Sequence, residues 1–236
     1  MTPSIHLAHV YELLIATYGE PKNVPDYDPL GGLVGTILSQ HTSDINSGRA
    51  YHQLVATFHT WEEVRDAPTQ EVADAIRSGG LANIKAPRIQ DALLTLAEQQ
   101  QAQGGTKSLA AYLYDELVKR TPKEALRYLR NIPGVGPKTA SCVLMFAMNL
   151  PVMPVDTHVL RVSKRLGLLR LNVNADKAHE YFADIAPPDW VYALHVNLIR
   201  HGRRICHAQR PECDKCPLYK ECAFVGSVNP QETAVS

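Results

Sequence analysis

The chain has 236 residues, 45% of them hydrophobic and 20% charged, so it is large enough to bury one large or two small cores. The formal net charge is zero, yet residues 1–118 hold 7 Lys and Arg against 14 Asp and Glu, whereas residues 119–236 hold 17 against 10, which predicts a local basic surface. The longest apolar stretch, residues 142–155, is interrupted by one Asn and two Pro, and no basic leader opens the chain, so we expect neither a membrane span nor a targeting segment.

Helix-start signals recur along the chain, and no segment has the alternating pattern of a strand. An N-terminal helix is followed by the proline-rich loop 21–29, which separates it from the rest of the chain. Start signals predict helices at Asp44 (residues 45–58), at Thr60 with Glu63 as a capping box, at Thr69 (residues 72–77) and at Asn174 (residues 177–183). We therefore expect an all-α protein.

The middle of the chain predicts a long helix and a second amphipathic segment. Residues 85–103 have apolar side chains at helical spacing, and Gly104 and Gly105 end that pattern. Within residues 98–119 a leucine stripe, Leu109, Leu113 and Leu117, indicates a further helix that packs against the body of the protein.

A helical hairpin is predicted over residues 121–148. Thr121 and Glu124 form a capping box that starts a helix running toward Arg130, and Pro133 must stop it. Gly134 and Gly136 can take positive backbone angles and expose N–H donors, and Pro137 suits the first turn of the next helix, through Ala140 to Met148. Such donors at a helix N-terminus can hold a nucleic-acid phosphate, although an ordinary helix connection has the same pattern.

Two polar residues stand out near this hairpin. Lys138 lies in the first turn of its second helix, where burial and the positive helix end would favour a neutral, nucleophilic amine. That amine suits Schiff-base chemistry, whereas pairing with phosphate is the commoner use of lysine in nucleic-acid binders. Asp156 begins a segment with the pattern of a helix start, which predicts that it is an N-cap.

Four cysteines near the end of the chain, Cys206, Cys213, Cys216 and Cys222, follow the order C-x6-C-x2-C-x5-C. Their thiolates can converge on one metal centre, whereas disulfides need an oxidising compartment of which the sequence gives no sign. Structural zinc usually has two close-spaced ligand couples and here there is one, so the spacing favours an iron–sulfur cluster and leaves zinc open. The fifth, Cys142, lies in an apolar helical pattern and is expected in the core.

The motifs resemble those of a known family. The hairpin Ile132–Ala140, with its Gly-x-Gly and lysine, and the Val-Asp-Thr-His of Pro154–Val159 resemble the signature of helix-hairpin-helix DNA glycosylases. With the cysteine loop they resemble the endonuclease III branch, over a span from about Gly31 to Cys222. The resemblance implies a two-domain fold with a cleft between the domains. These are a six-helix domain over residues 22–150 and a discontinuous iron–sulfur cluster domain over residues 1–21 and 151–236.

The resemblance also implies roles for individual residues. Lys138 would attack the sugar C1′, and Asp156, on the facing wall of the cleft, would activate it and stabilise the cationic sugar. The hairpin Gly134, Val135 and Gly136, with Lys138, would bind DNA. Gln40 or His41 would fill the space that a flipped base leaves, and Leu81 would be the apolar wedge, although a core leucine is the alternative.

The implied function is a bifunctional DNA glycosylase and abasic-site lyase that excises oxidised pyrimidines from double-stranded DNA. The implied cofactor is a [4Fe–4S] cluster held by the four cysteines, and the protein is expected to be a monomer, cytoplasmic and nucleoid-associated if prokaryotic. A mismatch adenine glycosylase of the same superfamily would need a carboxylate within Gly31–Ser43, where there is none. A non-catalytic DNA binder would need neither Lys138 nor Asp156.

Overall fold

A computed structural model of the chain describes residues 3–228, with side chains described for residues 6–225. Every regular element within these limits is a helix, so the all-α prediction is confirmed. The α-helices are α1 (Pro3–Tyr18), α2 (Pro29–Ser39), α3 (Asp44–Thr57), α4 (Trp61–Asp66), α5 (Thr69–Ala75), α6 (Ala82–Ala102), α7 (Leu109–Val118), α8 (Pro122–Arg130), α9 (Pro137–Cys142), α10 (Thr157–Arg165), α11 (Ala175–Ile185), α12 (Val191–Arg204) and α13 (Ala223–Val228). Short 3₁₀ segments cover Arg77–Gly79, Pro188–Trp190, Cys213–Lys215 and Tyr219–Glu221, and a π-helix covers Val143–Ala147.

The chain divides into two compact units. The first combines the residues up to Asn23 with those from Pro151 onward, and the second is Val24–Leu150. The second unit contains eight α-helices, α2 to α9, where the resemblance implied six; the two shortest, α4 and α5, have six and seven residues. Among the residues that the structure describes, no helix combines the length and apolar character needed to cross a membrane.

Helix α2 forms the centre of the Val24–Leu150 unit. Its side chains include Leu33 and Ile37, which are almost fully buried, and α3, α6, α7 and α9 pack around it. The stripe Leu109, Leu113 and Leu117 on α7 is also buried. The predicted packing of this segment against the body of the protein is therefore confirmed.

The helix starts follow the sequence closely at two positions. Thr121 and Glu124 form the predicted capping box at α8, with both reciprocal hydrogen bonds present. Asn174 caps α11 by accepting a hydrogen bond from the Lys177 N–H. At both positions a polar side chain satisfies backbone donors that the first turn leaves unpaired.

Two start signals are displaced by one residue, and a third lacks half of its predicted capping box. Ser43, rather than Asp44, caps α3. Asp44 is the first residue of that helix and places a negative charge in its first turn. Pro68 precedes α5, so Thr69 is already helical. Thr60 caps α4, but the Glu63 carboxylate accepts from the N–H of His59 at 2.8 Å, so the reciprocal half of the predicted box is absent. Only at α3 does the neighbouring residue supply the same kind of bond, because Pro68 makes no side-chain cap bond to α5.

In the first unit α1 packs against α12. The rings of Tyr11 and Trp190 stack with centroids 4.3 Å apart, and Asn197 Nδ2 donates to the Gly19 carbonyl at 2.9 Å. Tyr18 Oη lies 3.0 Å from Nδ1 of the buried His201. These contacts join the N-terminal segment of the first unit to α12 and the residue before it. The loop that carries the four cysteines follows α12.

Candidate functional site

The hairpin between α8 and α9 has the tight turn that its glycines predict, with one difference. Gly134 has a φ of +76°, but Gly136 has an ordinary φ of −83°, so only the first glycine needs left-handed backbone. The prediction of positive angles at both positions is therefore wrong for Gly136. Val135 is buried, and its N–H donates to the Ile132 carbonyl at 3.1 Å, so it closes the turn.

The outer edge of the hairpin is open to an incoming backbone. A Cβ on Gly134 or Gly136 would meet nothing within 4 Å, and the amides of both glycines donate to no residue that the structure describes. Beside it, the exposed side chains Lys123, Arg127 and Arg130 lie along α8 at helical spacing. Together these groups offer N–H donors and positive charge suited to phosphate.

Lys138 is the second residue of α9, as the sequence predicted, but its side chain is exposed. The predicted burial is therefore wrong, because the hairpin carries this side chain on its solvent side. Among residues 3–228 no hydrogen-bond or ion-pair partner engages its ammonium group. The amine is thus free to meet a substrate.

Gln40 and His41 follow α2 and differ in their surroundings. Gln40 is half-buried, and its Nε2 lies 3.4 Å from Oγ1 of Thr139, the residue after Lys138. His41 is exposed and has a left-handed φ of 54°, which turns it away from the path of the helix. The structure therefore places Gln40 against the hairpin and leaves His41 to project outward.

Leu81 lies on a second exposed loop, between the 3₁₀ segment and α6. Its side chain is 51% exposed, so it is not a core residue. Its φ of 52° is unusual for a branched apolar residue and follows directly on Gly80 at +66°. Leu81 is thus an apolar side chain presented to solvent, as its predicted wedge role would need.

Asp156 is the N-cap of α10, as predicted. Its Oδ1 accepts a hydrogen bond from the Val159 N–H at 2.7 Å. The other carboxylate oxygen has no donor among the described residues, and the side chain is half-buried. One oxygen therefore holds the helix, and the second remains available.

All four cysteines of the predicted cluster loop line a single small cavity in the first unit, together with Val162 of α10, His201 of α12 and Phe224 of α13. None of the five cysteines, all within the described residues, forms a disulfide, so the loop is not cross-linked in that way. Burial raises the pKa of Cys216 to about 11, and burial followed by the neighbouring sulfurs raises that of Cys213. Crowded thiols of this kind become stable thiolates only beside a strong positive charge.

The donor set distinguishes between kinds of metal centre. Within the described residues no three His, Cys, Asp or Glu side chains converge on one ion-sized point. Zinc needs four ligands at about 2.0–2.3 Å from a single ion, whereas a cluster spreads its thiolates because each binds a different iron. Four thiols around one cavity are the kind of donor set that an iron–sulfur cluster uses.

Two arginines on α10 hold the cysteine loop in place. Arg161 donates to the carbonyl of Cys206 from Nε and Nη2, at 3.2 and 3.0 Å. Arg165 donates to the carbonyl of His207 at 2.6 Å and to Cys206 Sγ at 3.4 Å. In the sequence they are only two of the basic residues within positions 119–236. In the structure they bind the protein's own backbone, which sequence spacing did not reveal.

α10 therefore connects two parts of the candidate site within the first unit. It begins at Asp156 and ends near the cysteine cavity, where Cys222 Sγ contacts the Arg165 carbonyl at 3.3 Å. In the second unit the Gln40 contact to Thr139 brings the Gln40–His41 loop to the hairpin of Lys138. The expected approach of Lys138 to Asp156 joins residues of different units and stays a prediction.

Comparison with known proteins agrees with these motifs. The family model of the HhH-GPD superfamily of base excision DNA repair proteins matches residues 34–188. Endonuclease III of Thermotoga maritima is 33% identical over 204 residues, which cover 86% of this chain and 87% of that protein. This chain belongs to the endonuclease III family of the HhH-GPD superfamily. The resemblance read from the motifs is thus confirmed.

Solved structures of endonuclease III extend this family assignment to the fold. A non-covalent endonuclease III–DNA complex superimposes with a TM-score of 0.77 at 26% identity, covering 98% of this chain and 100% of that one. A trapped endonuclease III–DNA covalent intermediate gives the same TM-score at 26% identity, with 97% and 99% coverage. The family fold therefore accounts for nearly the whole chain.

Proposed function

We propose that this endonuclease III family member is a bifunctional DNA glycosylase and abasic-site lyase, which excises oxidised pyrimidines from double-stranded DNA in base excision repair. The observation that carries the proposal is the exposed, unpartnered amine of Lys138 directly after the open glycine hairpin. A relative trapped as a covalent protein–DNA intermediate supports the same chemistry.

In the proposed reaction the Lys138 amine attacks C1′ of the damaged nucleotide. The new C–N bond forms as the glycosidic bond breaks, and the departing base takes the electron pair and a proton. Loss of a proton from the nitrogen and opening of the sugar ring give a Schiff base. Removal of a 2′ proton then expels the 3′ phosphate by β-elimination, and water releases the enzyme.

Asp156 is proposed to stabilise the positive charge that develops on the sugar as the base departs. A fixed carboxylate does this without reorganisation, because its Oδ1 is already held by the Val159 N–H. This role requires Asp156 to face Lys138 across a cleft between a domain of residues 22–150 and one of residues 1–21 and 151–236. The domain boundaries and the cleft are part of the proposal.

DNA would be held by the second unit. The amides of Gly134 and Gly136 and the cations of α8 suit the phosphates beside the lesion. Val135 supports the hairpin turn through the hydrogen bond from its N–H to the Ile132 carbonyl. Extruding the damaged base leaves a gap in the stack. We propose that His41 fills it, because Gln40 is held against Thr139, and that Leu81 wedges the opposite strand.

We propose that Cys206, Cys213, Cys216 and Cys222 hold a [4Fe–4S] cluster. Bound iron would supply the positive charge that turns crowded thiols into thiolates, and it would fix the loop that follows α12. Arg161 and Arg165 then orient that loop through its carbonyls. No step of the base excision is assigned to the cluster. We further propose that the protein acts as a monomer and that, in a prokaryotic cell, it acts in the cytoplasm on nucleoid DNA.

Asp156→Asn separates capping from catalysis. Asparagine caps helices about as well as aspartate, so we expect unchanged stability, whereas Asp156→Ala should lose about 1 kcal/mol of unfolding free energy. Both variants lose the charge, so excision of an intact damaged base should fall by about a hundredfold or more. Thermal unfolding and single-turnover excision measure the two effects. Normal excision by Asp156→Asn would contradict a catalytic carboxylate.

The function as a whole is tested on a panel of duplexes. We expect excision of oxidised pyrimidines and cleavage at a preformed abasic site, with no action on undamaged DNA. Removal of adenine from a mismatch with no action on pyrimidines would indicate the adenine glycosylase instead. Binding to abasic DNA without any cleavage would indicate a non-catalytic binder.

A further inference from the structure

A buried lysine lies between the two loops that carry His41 and Leu81. Lys85, on the first turn of α6, is only 2% exposed. Its ammonium donates to the Leu38 carbonyl at 2.7 Å and to the Gly79 carbonyl at 2.9 Å. Among residues 3–228 no carboxylate pairs with it. The mechanism proposed above makes no use of this charge.

Both acceptors are carbonyls at the ends of helical segments. Leu38 is in the last turn of α2, two residues before Gln40, and Gly79 ends the 3₁₀ segment two residues before Leu81. Unpaired carbonyls at a helix end carry partial negative charge and attract a cation. Burial lowers the Lys85 pKa, and the two carbonyls are the acceptors that its buried Nζ contacts.

A second bond joins the same two loops directly. Thr42 Oγ1, in the residue after His41, also donates to the Gly79 carbonyl. Each loop contains a non-glycine residue in left-handed backbone, at φ of 54° for His41 and 52° for Leu81. Such conformations persist only where surrounding bonds over-determine them. The contacts of Lys85 and Thr42 supply that constraint on both sides.

We propose that Lys85, assisted by Thr42, is a positioning residue that locks the His41 loop and the Leu81 loop into one rigid unit for extruding a paired base. This inference rests on the proposed function. A base that is still paired must be unstacked before it enters a pocket, whereas an abasic site has no base to remove. Loosening the two loops should therefore slow excision more than it slows cleavage at a preformed abasic site.

The test compares Lys85→Met with wild type in two single-turnover assays, on a duplex with a paired oxidised pyrimidine and on one with an abasic site. We expect the ratio of excision to cleavage to fall by about tenfold, which corresponds to about 1.4 kcal/mol. Fluorescence of 2-aminopurine placed beside the lesion should report weaker extrusion. Lys107→Met is a matched change at an exposed lysine that pairs with Asp115. It should leave the ratio of excision to cleavage and the 2-aminopurine fluorescence at their wild-type values.

Thr42→Val gives a second, milder variant that keeps Lys85. It should lower the ratio of excision to cleavage by a few fold. If Lys85→Met does not fold, this variant tests the positioning role in its place. An unchanged ratio in folded Lys85→Met, or in Thr42→Val where the other variant fails, would overturn the positioning role. Wild-type protein without any excision or cleavage would instead overturn the proposed function, so the two failures are distinct.

Discussion

Lys138→Gln should abolish strand cleavage at abasic sites and covalent trapping by borohydride. A Schiff base between this amine and C1′ is reduced to a permanent protein–DNA adduct, and glutamine forms no Schiff base. We expect cleavage to fall by more than about a thousandfold, equivalent to about 4 kcal/mol of activation free energy. Binding to abasic DNA should stay within about tenfold, since the hairpin amides and the cations of α8 are unchanged.

Lys138→Arg distinguishes a nucleophile from a phosphate clamp. Arginine keeps the positive charge and binds phosphate well, but its guanidinium is always protonated and cannot attack C1′. A clamp role therefore predicts retained cleavage in this variant, whereas the nucleophile role predicts its loss. The exposed position of Lys138 makes the exchange structurally mild. Trapping by either variant would assign the nucleophile to another residue.

Cys216→Ser should remove the metal centre from purified protein. We expect wild type to contain about four irons and four sulfides per chain, with a yellow-brown colour, and the variant to contain less than about one iron. Metal binding of this kind contributes directly to folding, so the thermal midpoint should fall by at least about 5 °C. Iron and sulfide analysis with thermal unfolding measures both effects.

Cys142→Ser is the matched control for this change. Cys142 is the fifth cysteine, on α9 in the Val24–Leu150 unit, and it does not line the cysteine cavity. It should therefore keep its iron content. Zinc in place of iron after anaerobic preparation of wild type would contradict the cluster, as would full iron content in Cys216→Ser.

The sequence by itself determined the local features of the site. The capping box at Thr121, the tight turn at Gly134 and the N-cap at Asp156 each depend on residues within about one turn of each other, and the cysteine spacing is read from one short segment of the chain. Local hydrogen-bond and backbone preferences are encoded by such short segments. The family resemblance added the chemistry to these positions, and the comparisons confirm the family.

Only the tertiary structure decided which side chains are exposed and what distant groups bind. Lys138 was expected to be buried but is exposed. Arg165 binds the His207 carbonyl, a contact that spacing did not indicate, because the direction of a long side chain does not follow from its position in the sequence. Lys85 lies in a segment whose pattern indicates an ordinary helix. Its partners, the carbonyls of Leu38 and Gly79, are 47 and 6 residues away in sequence. Backbone carbonyls carry no side-chain signature, so a contact to them becomes visible only when packing brings the segments together.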